Sequence, residues 1–338
     1  HLSIRRQRQM CIRDRSHSLL AHLSLGGALQ VALLMVAVWW VWIFTSWITN
    51  WLDPEALPIR LGLFVLMVAG LLLSSSIPQA FGERGLLFAG AYVFMQVGRT
   101  AYSLWAVRGE PLNMTRNFQR ILLWLMFSGV FWITGGLLEG PQRLACWGLA
   151  LAIEVLSPSL YFWVPGLGRS TLEDWNVEGN HMAERCALFV IIALGESLLV
   201  TGATFAELAT SAEGVLAFVV AVLGSIAMWW VYFDSGAERA HHRIAHSSDP
   251  GRQARIAYTY LHVLIVAGII VSAVADELVL VHPQHASQAA VLVIVGGPWL
   301  FLLGCALFKW VMNERPLPPL SHLAGLAALL LLLSLIHI

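Results

Sequence analysis

The feature that most limits what this chain can become is a succession of apolar runs of about 20 residues each, separated by short polar connections. Twenty helical residues rise about 30 Å, the thickness of a bilayer's hydrocarbon core. Ten such runs can be read, over residues 25–51, 59–78, 86–107, 118–138, 144–164, 186–204, 214–233, 256–274 and 288–311, with a partial tenth from 320 onward. They are continuously apolar, without the ten-residue alternation of lipid-facing strands, so helices are expected and a barrel is not. The expected fold is therefore all-α, a polytopic transmembrane helical bundle with about ten spans present. Composition agrees: of 338 residues 58% are hydrophobic and 12% charged, about half the charged fraction of a soluble domain. The 20 basic and 20 acidic residues cancel, which leaves no basic face for nucleic acid. The expected partners are the lipid bilayer and a small solute or ion, with protons among the candidates.

Charge placement gives an expected orientation. Connections after odd-numbered runs carry twelve basic residues, among them Arg108, Arg116, Arg120, Arg169, Arg185, Lys309 and Arg315, whereas those after even-numbered runs carry Arg84 and Arg143. Basic loops stay cytoplasmic, so the loops after odd-numbered spans are assigned to that side. The arginine-rich leader over residues 5–15 would break this rule. It and the closing residues 334–338 read as adapter-derived sequence foreign to the protein, which leaves the natural chain truncated at both ends. Between them, residues 17–180 and 181–333 are expected to form two membrane halves, the first lacking its opening helix. Two short strings recur in order. Trp39-Trp40-Val41-Trp42 returns as Trp229-Trp230-Val231-Tyr232, and Val68 to Ser74 resembles Val266 to Ser272. Offsets of about 190 residues, six runs apart, suggest two parallel six-helix halves.

Charges at membrane depth are costly and so mark candidate sites. Glu196 lies inside the run that follows His181, Glu184 and Arg185, and Glu154 lies inside the fifth run. Arg99 is the arginine placed well inside a run, so it is a candidate partner for Glu154 or Glu196. On a helix Arg185 and Glu196, eleven residues apart, differ by only about 20° around the axis, too far along it to touch. His181 and Glu184 are one turn apart at the helix start, where they would serve as an interfacial cap. His262 and Asp276 fall within about 40° of one face and some 21 Å apart, an arrangement that suits a proton path. Asp234 follows directly on a span whose Trp229, Trp230 and Tyr232, like Trp39 and Trp40, are assigned to the interfacial aromatic belt. His241, His242 and His246 make a poor metal set, because adjacent helical residues point about 100° apart. No nucleotide-, zinc- or serine-hydrolase motif occurs, and no cofactor is expected. Cys146, Cys186 and Cys305 read as buried spectators.

Taken together, His181, Glu184-Arg185, the run Leu188 to Ser197, Trp229 to Asp234, and Phe81-Gly82-Glu83-Arg84 with Tyr92 resemble the bacterial low temperature requirement A (LtrA) family. That resemblance implies a multi-pass protein of the bacterial inner membrane linked to growth in the cold, and it implies no settled chemistry. The family's acidic opening segment has no counterpart here. Three readings stay open: a secondary transporter or permease centred on Glu196, Arg99 and Glu154; a membrane enzyme acting on a lipid or quinone-like substrate with Glu196 and His181 as acid and base; and a structural or sensory protein without catalysis.

Overall fold

A computed structural model describes residues 25–52, 56–109, 112–171, 179–208, 211–234, 250–281, 287–312 and 316–337. Their regular structure is helical, and the one β-bridge among them joins Val164 and Gly168. Among the described residues seven helices are long and apolar enough to cross a membrane. The chain divides into two compact units, Ser24–Val177 and the described residues from Gly179 onward.

The first unit begins with α1 (Leu25–Trp51) and α2 (Leu57–Ser76), which starts with Pro58 in its first turn, where the missing N–H costs nothing. α3 (Gly85–Val93) runs through a π turn at Phe94–Gly98 into α4 (Arg99–Ala106). The run expected over residues 86–107 is thus a helical rod with a wide turn at its middle. α5 (Leu112–Leu137) and α6 (Gly140–Leu156) complete the unit. α6 stops eight residues short of its expected end, because Pro158 cannot continue the backbone ladder and the chain turns back on itself. In that turn Tyr161 and Phe162 both adopt positive φ, 53° and 46°. Such conformations cost about 1–3 kcal/mol each for a residue with a side chain. Phe162, buried, helps hold them, as do bonds from Phe162 N to Ser157 O (3.0 Å) and from Ser170 N to Tyr161 O (2.8 Å).

The unit's core is aromatic. Phe88, Tyr92, Trp132 and Trp147 are all buried, with Tyr92 and Trp132 centroids 4.3 Å apart and Trp132 and Trp147 5.5 Å apart. Close helix approach requires glycine at two points: a Cβ on Gly135 would overlap the Trp147 indole, and one on Gly136 would lie 3.1 Å from the Leu86 Cα. Arg143 is buried beside this core. It donates to the carbonyls of Leu138 (2.8 Å), Ala80 (2.8 Å) and Gly82 (2.7 Å), groups that a helix end and a tight turn leave unpaired.

The second unit contains α7 (Gly179–Leu208), α8 (Ala212–Phe233), the short α9 (Pro250–Ala254), a π turn at Arg255–Leu261, α10 (His262–Val281), α11 (Gln288–Met312) and α12 (Leu320–His337). α8 opens on Ser211, whose hydroxyl accepts from Gly214 N at 3.1 Å and caps an otherwise orphaned donor. α10 and α11 pack backbone to backbone. A Cβ on Gly268 would strike the Phe301 main chain, one on Gly297 would lie 2.7 Å from Ser272 N, and one on Gly304 2.8 Å from Ile265 N. Small residues permit this approach where no hydrophobic effect drives helices together in lipid. α11 continues through Pro298 as a single helix.

Candidate functional site

In the first unit the deep polar residues converge on Glu154, which α6 carries into the space between α3 and α5. Its carboxylate is buried and accepts four hydrogen bonds, two on each oxygen. Tyr92 Oη (2.7 Å) and Gln96 Nε2 (2.9 Å) donate to Oε2, and Ser128 Oγ (2.7 Å) and Trp132 Nε1 (2.9 Å) donate to Oε1. Burying a carboxylate is tolerable only when its lone pairs are met in this way. Gln96 then relays the contact to Arg99. Its amide oxygen accepts from the guanidinium while its amide nitrogen donates to Glu154, so the two charges fix which way the amide points. Arg99 also donates to Val41 O (3.0 Å) and Thr45 Oγ1 (2.9 Å) on α1, and its guanidinium lies 5.7 Å from the Phe44 ring centroid. The pairing expected between Arg99 and Glu154 is therefore made through a glutamine bridge. Tyr92, Gln96 and Arg99 stand around the π turn, which supplies the extra backbone width between them.

In the second unit His262 is buried at the junction of a π turn and α10. Nδ1 faces the Ala257 carbonyl at 2.8 Å, so that nitrogen carries the proton, and Nε2 accepts from Tyr232 Oη at 2.9 Å. The rings of Tyr258 and Phe308 close around it, at 5.4 and 4.8 Å between centroids. Asp276 is half-buried farther along the same helix, and its neighbour Glu277 is buried with Oε2 lacking a partner. Lys309, buried on α11, donates to Val231 O at 2.9 Å, in the last turn of α8. The negative dipole end of α8 suits that ammonium. Asp234 caps α8, with its N–H on Trp230 O at 2.8 Å, and it is exposed.

Glu196 differs from these. It is half-buried near the middle of α7, and no hydrogen bond or ion pair reaches it among the described residues. Open space lies beside Gly195 and Gly202, and the neighbouring Ser197 hydroxyl is buried without a partner. His181 is half-buried in the first turn of α7, while Glu184 and Arg185 are exposed.

Residues 10–338 match the model of the Bacterial low temperature requirement A protein (LtrA) family. The chain belongs to the LtrA family. It is 44% identical over 318 residues to the Uncharacterized protein RA0937 of Rhizobium meliloti (strain 1021), an alignment that covers 93% of this chain and 76% of that protein. No solved structure matches it significantly.

Within this LtrA-family chain the sequence singled out Glu154 and Arg99 but passed over most of what joins them. Gln96, Ser128 and Trp132 are neutral and unremarkable in an apolar run. The available signal was spacing: Tyr92, Gln96 and Arg99 fall at i, i+4 and i+7, and Ser128 and Trp132 at i and i+4. Trp39 and Trp40, assigned to the interfacial belt, stand at the middle of α1 and are buried, so their rings serve packing. Trp229 and Trp230 are exposed near the end of α8, and Tyr232 is spent on His262. His241, His242 and His246 lie outside the described residues. Among those described, no three His, Cys, Asp or Glu side chains gather as a metal set would.

Proposed function

We propose that this LtrA-family chain is a secondary transporter or permease of the bacterial inner membrane, and that Glu196 is the carboxylate that meets the solute or proton it moves. One observation carries the reading. Of the two carboxylates that the sequence singles out at membrane depth within the fifth and sixth runs, Glu154 is saturated by four donors, whereas Glu196 stands half-buried in α7 with no partner among the described residues. A bare carboxylate at membrane depth costs free energy that structure alone does not recover, so its retention points to work on something that comes and goes. In this reading Glu154, Gln96 and Arg99 form a rigid, charge-balanced centre. His262 and Asp276 line the coupling path, and His181, Glu184, Arg185 and Asp234 serve its entrances.

The same reading takes the rod Gly85–Ala106, α6 and α12 as spans beside the seven longer helices, which makes ten. It places the loops after odd-numbered spans in the cytoplasm and takes residues 17–180 and 181–333 as two membrane halves. Reconstitution in liposomes followed by a screen for solute-driven proton flux tests it. A flux that survives Glu196→Gln unchanged would falsify the assignment.

A further inference from the structure

The loop that follows α6 is built against the first half of α5. Arg120 sends two bonds to Leu167 O (2.9 and 2.7 Å), Trp124 Nε1 donates to Trp163 O (3.1 Å), and Ser170 Oγ donates to Asn117 Oδ1 (2.6 Å). Val164 and Gly168 exchange both backbone bonds, and the turn that starts the loop holds two consecutive non-glycine residues at positive φ. Strain of this kind is kept where the local shape matters. The shape it makes is an open groove of about 670 Å3, which falls within the size range of small-molecule sites.

The walls of the groove define its occupant. Leu123, Phe127, Leu160 and Trp163 present exposed apolar surface, and Arg169 stands exposed among the lining residues. No carboxylate lines the groove among the described residues. Along α5 the apolar stripe continues from Leu123 and Phe127 to the exposed Val130. In the other direction it meets exposed Arg116, seven residues before Leu123 and within about 20° of the same line. One end of this surface is cationic and ringed by Trp and Tyr, and the other runs out along a bare apolar helix. A soluble anion would use the first end only, whereas an amphiphile uses both.

We infer that this groove is a binding site for an anionic phospholipid, with the phosphodiester at Arg169 and an acyl chain laid along Leu123, Phe127 and Val130. Arg116 strengthens the preference for net negative charge, and the strained turn keeps the loop wall from closing over the chain. The site is separate from the deep polar residues of the proposed transport path and does not depend on that reading.

The test uses the full chain, purified in a neutral detergent and titrated with dimyristoyl phosphatidylglycerol, dimyristoyl phosphatidylcholine or inorganic phosphate, with thermal stability as the readout. Phosphatidylglycerol should stabilise at lower concentration than phosphatidylcholine, and phosphate alone should not reproduce the shift. Arg169→Gln should weaken the apparent affinity for phosphatidylglycerol about fivefold and weaken that for phosphatidylcholine by less, because the choline ammonium already offsets its phosphodiester charge, so that the preference for phosphatidylglycerol shrinks. Arg169→Lys should restore the preference, and Phe127→Ser should weaken both lipids. Equal stabilisation by the two lipids, a full shift with phosphate alone, or an intact preference in Arg169→Gln would each overturn the assignment.

Discussion

Glu154 and Glu196 are the same side chain in similar apolar surroundings, and the two units treat them in opposite ways. Around Glu154 α3, the π turn and α5 contribute a phenol, an amide, a hydroxyl and an indole, and the glutamine that gives the amide passes the remaining charge balance to Arg99. Around Glu196 no donor is assembled among the described residues. The lesson is that depth in the membrane does not by itself identify a working carboxylate. What separates a brace from a site is whether donors have been assembled on it, because a saturated carboxylate gives up its network to bind anything else.

The comparison can be broken at several points. Glu154→Leu should have the largest effect, because it strands four donors and leaves Arg99 without its counter-charge. A loss of about 3–5 kcal/mol is expected in a denaturant titration of the detergent-solubilised protein. An unfolding midpoint close to that of the native chain would mean that Glu154 is not a brace. Gln96→Leu should follow, costing about 1–3 kcal/mol, since both ends of the relay lose their partner together. A double-mutant cycle with Arg99→Met measures the coupling directly, and additive effects would show that the relay carries nothing. Tyr232→Phe should cost about 1 kcal/mol by the same titration, the worth of one hydrogen bond to His262. Glu196→Gln should have the smallest effect on stability, within about 0.5 kcal/mol, while it abolishes flux in liposomes. A large loss of stability there would make the two carboxylates alike.

Much of the architecture is written in periodicity, and the site less so. Continuous apolar runs are enough to require helices in lipid, because no other open structure satisfies its own backbone there. Glu154, Arg99 and Glu196 stand out in the sequence because charge in such a run is rare. Their partners do not stand out. Ser128 and Trp132 acquire meaning only when α5 lies against α6, and Gln96 only when a π turn widens the rod that carries it. That turn, Phe-Met-Gln-Val-Gly, holds no proline, and the one at Arg255–Leu261 holds neither glycine nor proline, so neither breaks the apolar pattern. The early end of α6 was signalled by Pro158, but the fold of the loop beyond it depends on Arg120 and Asn117, more than 35 residues away in sequence.

The contact between α10 and α11 carries a consequence for motion. Three glycines set one backbone directly on the other across the stretches 265–272 and 297–304, with no layer of side chains between them to act as a bearing. Two rods joined in this way cannot roll or slide past each other without main-chain collision. They behave as a single mast. Any rearrangement of the second unit must therefore swing its remaining helices about that mast, and a bulky substitution at Gly268 or Gly297 would part the mast itself and leave α7 and α8 without a pivot.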